Sequence, residues 1–426
     1  MHFAPEAIPA EIPTHIRRFI SITGIQPWRN RWKTIDRQLA ENELLFKLIS
    51  ERFQTELALR EVLEFRRQTN RLPWPPKTAE QHRALSFVTM ASLVHQRLST
   101  QGKKRLKGML IHGLDFNYGL APLVFEMLVA THLMQNEYEV NFHDIESDGR
   151  FDFLAEKNGV LLEVECKFIS ADIGRKIHQR RLYELSNALK PTLTENANRA
   201  SGGLIVRVII NNRLTGEKRQ HNAILNSITE AFSSKNRTAR SESCTVEISS
   251  FELENSPFVR DESLTVSQQL LESYLSDELG IDNKNVFILM RPGDHPCVVV
   301  IESKKRDAVL KSITRQLKKS AKSQLSGKRP GMIWCYLADL TEKQLRQLAD
   351  RQSEGTGLQF AVTEIFSSRP HLHTLAFSCE GSVRVQTTTA GHQRQTSVQE
   401  SGGLYTFANS NHPDSERKDL RVFSRT

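Results

Sequence analysis

Asp152-Phe-Leu-Ala-Glu-Lys-Asn-Gly-Val-Leu-Leu-Glu-Val-Glu-Cys-Lys167 is the stretch on which the fold turns. Asn158-Gly159 sits between two apolar-rich runs, and this pair suits a two-residue type I′ turn because both central positions need positive φ. A turn there makes a β-hairpin and sets Asp152 opposite Glu165. Opposed residues share a face, with Cβ atoms about 4.5–5.5 Å apart. Along the second strand, Glu163, Glu165 and Lys167 point one way, while Val164, Cys166 and Phe168 point the other. Two carboxylates so close repel unless they are protonated or bridged by a cation. A hard divalent ion such as Mg²⁺ takes oxygen ligands and removes the repulsion, so the residues suggest metal-assisted phosphodiester hydrolysis.

Upstream, Leu120–Met134 reads as an apolar helix with Pro122 near its start. Glu126 stands there among Leu123, Val124, Phe125, Met127, Leu128 and Val129. Its carboxylate is expected to be near neutral, hydrogen-bonded or on a metal, unless it reaches solvent from an early helix turn. Tyr138–Phe142 then reads as a short strand. Downstream of the hairpin, Asp172–Leu189 reads as a basic helix carrying Arg175, Lys176, His178, Gln179, Arg180 and Arg181. Strands Leu204–Ile210 and Cys244–Phe251 follow, with a helix over Asn222–Phe232 between them.

A helix glutamate, a strand aspartate, Glu165-Cys166-Lys167 on the next strand and a basic helix, in that order over residues 118–250, resemble the PD-(D/E)xK nuclease superfamily, the fold of many restriction endonucleases and of Holliday-junction resolvases. The resemblance implies Asp152, Glu165 and Lys167 as catalytic residues. It implies Mg²⁺ or Mn²⁺ held by Asp152 and Glu165, with Glu126 and the backbone carbonyl of Cys166 as further ligands. Lys167 would orient or activate the attacking water and stabilise charge developing at phosphorus. Gln179 or Arg180 would support the site from the basic helix, and Glu163 is an extra acid able to assist or replace Glu165. The position before Asp152 is Phe151, where the superfamily's name has proline.

The remaining sequence reads as further α/β structure. Strands are expected at Val286–Met290, Cys297–Ile301, Met332–Leu337, Leu358–Ile365 and His373–Phe377. A basic amphipathic helix is expected over Asp307–Leu325, with Lys311, Arg315, Lys318 and Lys322 on one stripe. That stripe, with Arg175, Lys176 and Arg181, is the expected nucleic-acid-binding surface. Two patterns are decoys: Glu302-Ser303-Lys304 lacks a helix glutamate and a strand aspartate at sensible spacing, and His371, His373 and Cys379 lack a complete zinc ligand set.

The expected class is α/β, a restriction-endonuclease-like mixed sheet flanked by helices. Expected boundaries are a helical N-terminal domain over 1–105, a nuclease-like core over 106–255, a basic α/β domain over 256–382 and a polar, mobile tail over 383–426. The 426 residues suffice for two or three cores. The balance of 58 Lys+Arg against 49 Asp+Glu, formally +9, favours polyanionic partners. Five scattered cysteines argue against a disulfide framework and fit a reducing cytosol. The N-terminus has no secretory pattern, and no apolar run approaches the roughly 20 residues of a membrane helix. The expectation is a cytoplasmic, metal-dependent nuclease acting on nucleic acid, DNA before RNA, away from membranes. It leaves room for a homodimer or a regulatory protein partner. The alternative is a catalytically inactive nucleic-acid-binding or protein-interaction module on the same fold.

Overall fold

The computed structural model describes residues 9–41, 46–72, 76–115, 118–147, 149–170, 172–197, 202–251, 285–291, 295–340, 342–350, 357–379, 383–390, 393–400 and 403–423. Helices α1 (Ile12–Thr23), α2 (Ile25–Glu41), α3 (Phe46–Arg52), α4 (Gln54–Thr69), α5 (Ala79–Arg97), α6 (Thr100–Asp115) and α7 (Ala121–Gln135) come first. Strand β1 (Glu139–Phe142), the one-turn helix α8 (His143–Glu146) and the hairpin β2 (Phe153–Lys157) and β3 (Val160–Ser170) follow. Next come α9 (Gln179–Ala197), β4 (Gly203–Ile210), α10 (Lys218–Ser233), β5 (Thr238–Arg240), β6 (Cys244–Phe251), β7 (Val286–Arg291) and β8 (His295–Ser303). Helices α11 (Val309–Ser323), α12 (Glu342–Asp350) and α13 (Leu358–Ser368) alternate with β9 (Gly331–Ala338) and β10 (Leu372–Ser378), ahead of β11 (Val383–Ala390), β12 (Gln393–Glu400) and β13 (Tyr405–Ala408).

The chain divides into two compact units, and the division cuts across the expected boundaries. One unit comprises Met1–Gln38, Leu48–Ile173 and Val309–Thr426; the other comprises Leu39–Lys47 and Gly174–Ala308. The larger part of the second unit, Gly174–Ala308, is thus an insertion in sequence between β3 and α11.

The first unit holds a six-stranded mixed sheet in the order β1-β2-β3-β9-β10-β13. Strands β3, β9 and β10 are parallel; β1, β2 and β13 pair antiparallel to their neighbours. Glu165 lies opposite Ile333 and Lys167 opposite Cys335 across the β3–β9 ladder. Residues 309–340, expected in a separate basic domain, therefore build the sheet that carries the acidic hairpin. The hairpin has the expected register, with Phe153 opposite Val164 and Lys157 opposite Val160. Asn158 at φ 51° and Gly159 at φ 77° make the turn.

The N-terminal helices do not form their own domain. Ile16, Phe19, Trp28 and Leu59 share one apolar cluster with Val129 on α7, Leu162 and Val164 on β3 and Trp334 on β9. The start of α7 is held from this side: the buried Glu56 carboxylate accepts from the Leu120 backbone N–H at 3.1 Å, with Arg31 at 3.7 Å. Burial raises the Glu56 pKa, and Arg31 opposes the rise. Gly119 at φ 59° leaves room for it, since a Cβ there would stand 2.0 Å from Glu56 Oε1.

Two further expectations are corrected. Leu358–Ile365 is helix, not strand, because its buried residues Leu358, Ala361, Val362 and Ile365 recur at helical spacing. The C-terminal segment is more than a mobile tail: β13 completes the sheet, and Leu420 and Val422 are buried in the core with α7 and β3. Tyr138 Oη donates to the Asp419 carbonyl at 2.7 Å, and Asn158 Nδ2 to the Asp419 carboxylate at 2.7 Å, strapping the segment over the hairpin turn.

The inserted unit has a five-stranded sheet in the order β5-β6-β4-β8-β7, with β4 and β8 parallel and the other pairs antiparallel. Its own core includes Leu182, Leu185 and Leu189 of α9, Ile224 and Ile228 of α10, and Val206 and Val208 of β4. Among the described residues, no helix is long and apolar enough to cross a membrane.

Candidate active site

β3 delivers the central groups because its alternation carries Glu163, Glu165 and Lys167 to one face. Glu165 is 1% exposed. Its Oε1 contacts Lys167 Nζ, and its Oε2 has no hydrogen-bond partner. Burial and the nearby Asp152 push the Glu165 pKa up to about 8, against the pull of Lys167. Burial disfavours the Lys167 charge, but Glu165 and Asp152 outweigh it and leave the ammonium above its ordinary pKa.

Asp152 sits one residue before β2, and its Oδ2 accepts from the Cys166 backbone N–H at 2.5 Å. That bond ties the start of β2 to the Glu165-Cys166-Lys167 segment. Burial lifts the Asp152 pKa to about 6, while the Cys166 N–H and Lys167 restrain the rise. α7 packs against β3 and brings Glu126 into the same field. The Glu126 pKa is raised well above the carboxylate range, first by burial, then by Asp152, Asp144 and Glu165. The Cys166 and Cys335 thiols are buried and raised, so they are inert apolar groups rather than nucleophiles.

Asp144 is the group that the sequence did not reveal. It lies on α8, whose first residue donates its backbone N–H to the Asp152 carbonyl at 2.8 Å (His143 to Asp152). Its pKa is pushed up to about 7, first by burial and then by Asp152. Four carboxylates, Glu126, Asp144, Asp152 and Glu165, thus act on one another with Lys167 beside them. They cannot all be ionised together in this low-dielectric setting unless positive charge is added.

Glu163, expected as an accessory acid, is committed elsewhere. It is 0% exposed and accepts from the Ser326 backbone N–H at 2.7 Å and Ser326 Oγ at 2.5 Å, with Arg329 Nη1 at 3.4 Å. It anchors the loop between α11 and β9 rather than offering a free carboxylate. Gln179 and Arg180 belong to the inserted unit, where Arg180 pairs with Glu184 at 3.2 Å. Within the first unit the helix between β3 and β9 is α11, not α9. Arg175, Lys176 and Arg181 also lie in the inserted unit, Arg181 bonded to Glu184 at 2.7 Å. Lys311, Arg315 and Lys322 are exposed on α11, whereas Lys318 is half-buried and held by Glu364 at 2.5 Å.

Both decoys resolve as structural groups. Glu302 takes Arg207 in a two-point pair at 2.7 and 3.1 Å. His371 Nε2 bonds the Ala321 carbonyl at 3.1 Å, and His373 and Cys379 are buried.

Among the described residues, no three His, Cys, Asp or Glu side chains stand in a ready metal-ligand arrangement. The residues nonetheless suit a hard divalent cation. Glu165 Oε2 is a buried carboxyl oxygen without a hydrogen-bond partner, and the surrounding groups are oxygen ligands that raise one another's pKa. No protein-family model, no curated protein and no solved structure matches the chain.

Proposed function

We propose that this chain is a metal-dependent nuclease of the PD-(D/E)xK type, hydrolysing phosphodiester bonds of nucleic acid, with DNA as the favoured substrate. The observation that carries the reading is the Glu165 carboxylate. It is buried, half engaged by Lys167, half without a donor, and set beside Asp152 on the strand it joins through Cys166. A group so costly to leave unsatisfied suits a place where a ligand completes it. The order of elements supports the same reading: α7, strands β1, β2 and β3, then α11 and β9, with β9 parallel to β3 in one sheet.

Asp152 and Glu165 would hold Mg²⁺ or Mn²⁺, with Glu126 and the Cys166 carbonyl as further ligands. The bound ion supplies Lewis acidity toward a phosphoryl oxygen and makes water more acidic. Lys167, once Glu165 turns from it, presents an ammonium to orient the attacking water and to offset charge growing at phosphorus. Glu165 carries a proton over much of the neutral range, so loading the site expels that proton. The Asp152–Cys166 bond fixes the backbone between Glu165 and Lys167.

The test is cleavage of linear, circular and single-stranded DNA and of RNA by the purified protein in Mn²⁺, Mg²⁺ or EDTA. Lys167→Ala and Asp152→Ala run beside the native chain. Metal-dependent cutting lost in both variants is the expected result; no cutting of any substrate overturns the reading. One observation favours the second reading, an inactive binding or interaction module on this fold. Lys167 is already paired with Glu165, a closed arrangement that an abandoned site would keep. Under that reading nucleic-acid binding persists unchanged in both variants.

A further inference from the structure

In the inserted unit, β4 and β8 run parallel and finish side by side, with Ile210 opposite Ser303. The chain leaves both strands at the same end of the sheet, and hydrogen bonds gather three segments there. The Leu214 N–H donates to the Lys176 carbonyl at 2.9 Å. The Lys176 N–H donates to the Asp307 carboxylate at 2.8 Å. The Lys304 N–H donates to the Ile210 carbonyl at 2.9 Å. The segment before α9, the loop after β4 and the loop after β8 therefore form one edge.

That edge is strongly basic. Arg175 and Lys176 come from the first segment, Arg213 from the second, and Lys304, Lys305 and Arg306 from the third. Arg213, Lys304, Lys305 and Arg306 are exposed. Of the acids nearby, Glu184 is held by Arg180 and Arg181, and Asp307 accepts from the Lys176 backbone N–H. Among the described residues, Glu217, Glu242 and Asp307 are acids exposed near it. Helices α9 and α10 both begin here, after Lys176 and after the β4 loop, so two positive helix ends add to the field. The outer ends of parallel strands are where open α/β sheets receive ligands. Distributed arginines and lysines on separate loops match a repeating anion rather than a small one.

We infer that this edge of the inserted unit is a docking surface for the phosphate backbone of nucleic acid, built from residues other than those of the acidic site on β3. The inference rests on the proposed function for the choice of nucleic acid as the polyanion. The surface holds substrate by charge alone and reads no sequence.

The experiment measures binding without cleavage. The full-length Lys167→Ala protein in EDTA is titrated against a fluorescein-labelled DNA duplex and an RNA of the same sequence, at several salt concentrations. A triple Lys304→Ala/Lys305→Ala/Arg306→Ala variant in that background is expected to bind at least about tenfold more weakly. Its log–log salt slope should flatten by about two to three, near one unit for each phosphate that is no longer neutralised. A second variant, Arg175→Ala/Arg213→Ala, draws on the other two segments and should move in the same direction with Tm unchanged. Equal affinity and slope in both variants overturn the inference. Loss of binding to phosphatidylserine vesicles with no loss on DNA or RNA also overturns it, in favour of a membrane surface. Because binding is read in EDTA on an inactive protein, failure of cleavage and failure of docking are scored apart.

Discussion

At the residue scale, the site is a problem of too many negative charges in too little water. Asp144, Asp152 and Glu165 hold protons more tightly in the fold than in the unfolded chain, at about 7, 6 and 8. Between the ordinary carboxylate range near pH 4 and about pH 8, the folded state therefore binds more protons, so stability falls as pH rises. In EDTA, Tm should decline from pH 5 to 8, and Mn²⁺ should restore it at the upper end; a Tm rising over that range in EDTA would contradict the assigned shifts. Asp144→Asn should shallow that decline while lowering metal-dependent cleavage about 10- to 100-fold, the usual cost of losing a group that supports a metal ligand. Unchanged cleavage would remove Asp144 from the machinery. Of these residues, Asp152, Glu165 and Lys167 were legible in the sequence because the turn pair fixes a register and the register fixes a face. Asp144 was not, since its link to the site is one backbone bond between His143 and Asp152 that no spacing encodes. Glu163 illustrates the opposite limit: alternation placed it on the right face, and only the fold reveals that Ser326 has taken both its oxygens.

Elements are positioned by a few buried polar groups at their ends. The Glu56 carboxylate under the first turn of α7 sets where Glu126 falls, and Gly119 allows the approach. Gly119→Ala should cost at least about 1–2 kcal/mol from the left-handed backbone alone, with the collision added. Activity should fall in step with Tm, and a variant as stable as the native chain would refute the account. Glu163→Gln, which weakens the charge-assisted bonds to Ser326, should cost about 1–3 kcal/mol while leaving the metal dependence of cleavage intact. Denaturation with and without Mn²⁺ distinguishes that outcome from a direct role. Helical and strand signals were read well where the periodicity was long, as in α7 and α11. They failed at α13, where a short apolar run resembles a buried strand until its burial at i, i+3, i+4 and i+7 is seen.

For the whole molecule, the domain order expected from composition gave way to a discontinuous unit. Which strand lies beside which is a long-range fact: β3 pairs with β9 across the entire inserted unit, and nothing in the chain's local chemistry marks that return. The tail was misread for a related reason, because a polar stretch hides the two apolar residues, Leu420 and Val422, that close the core. Leu420→Ala should cost about 2–5 kcal/mol, as expected for a fully buried leucine, and removal of residues 403–426 should abolish cooperative unfolding. A truncated chain with native Tm would show the segment to be dispensable. The position of β9 also sets a clock on synthesis. A ribosome adding about 5–20 residues per second needs roughly 10–30 s to pass from the end of β3 to the end of β9. Throughout that interval the nascent chain holds Glu165 and Lys167 on a strand lacking its parallel neighbour, and the segment that straps the hairpin emerges later still. Under the proposed reading, the site would thus stay incomplete on the ribosome until β9 has been made.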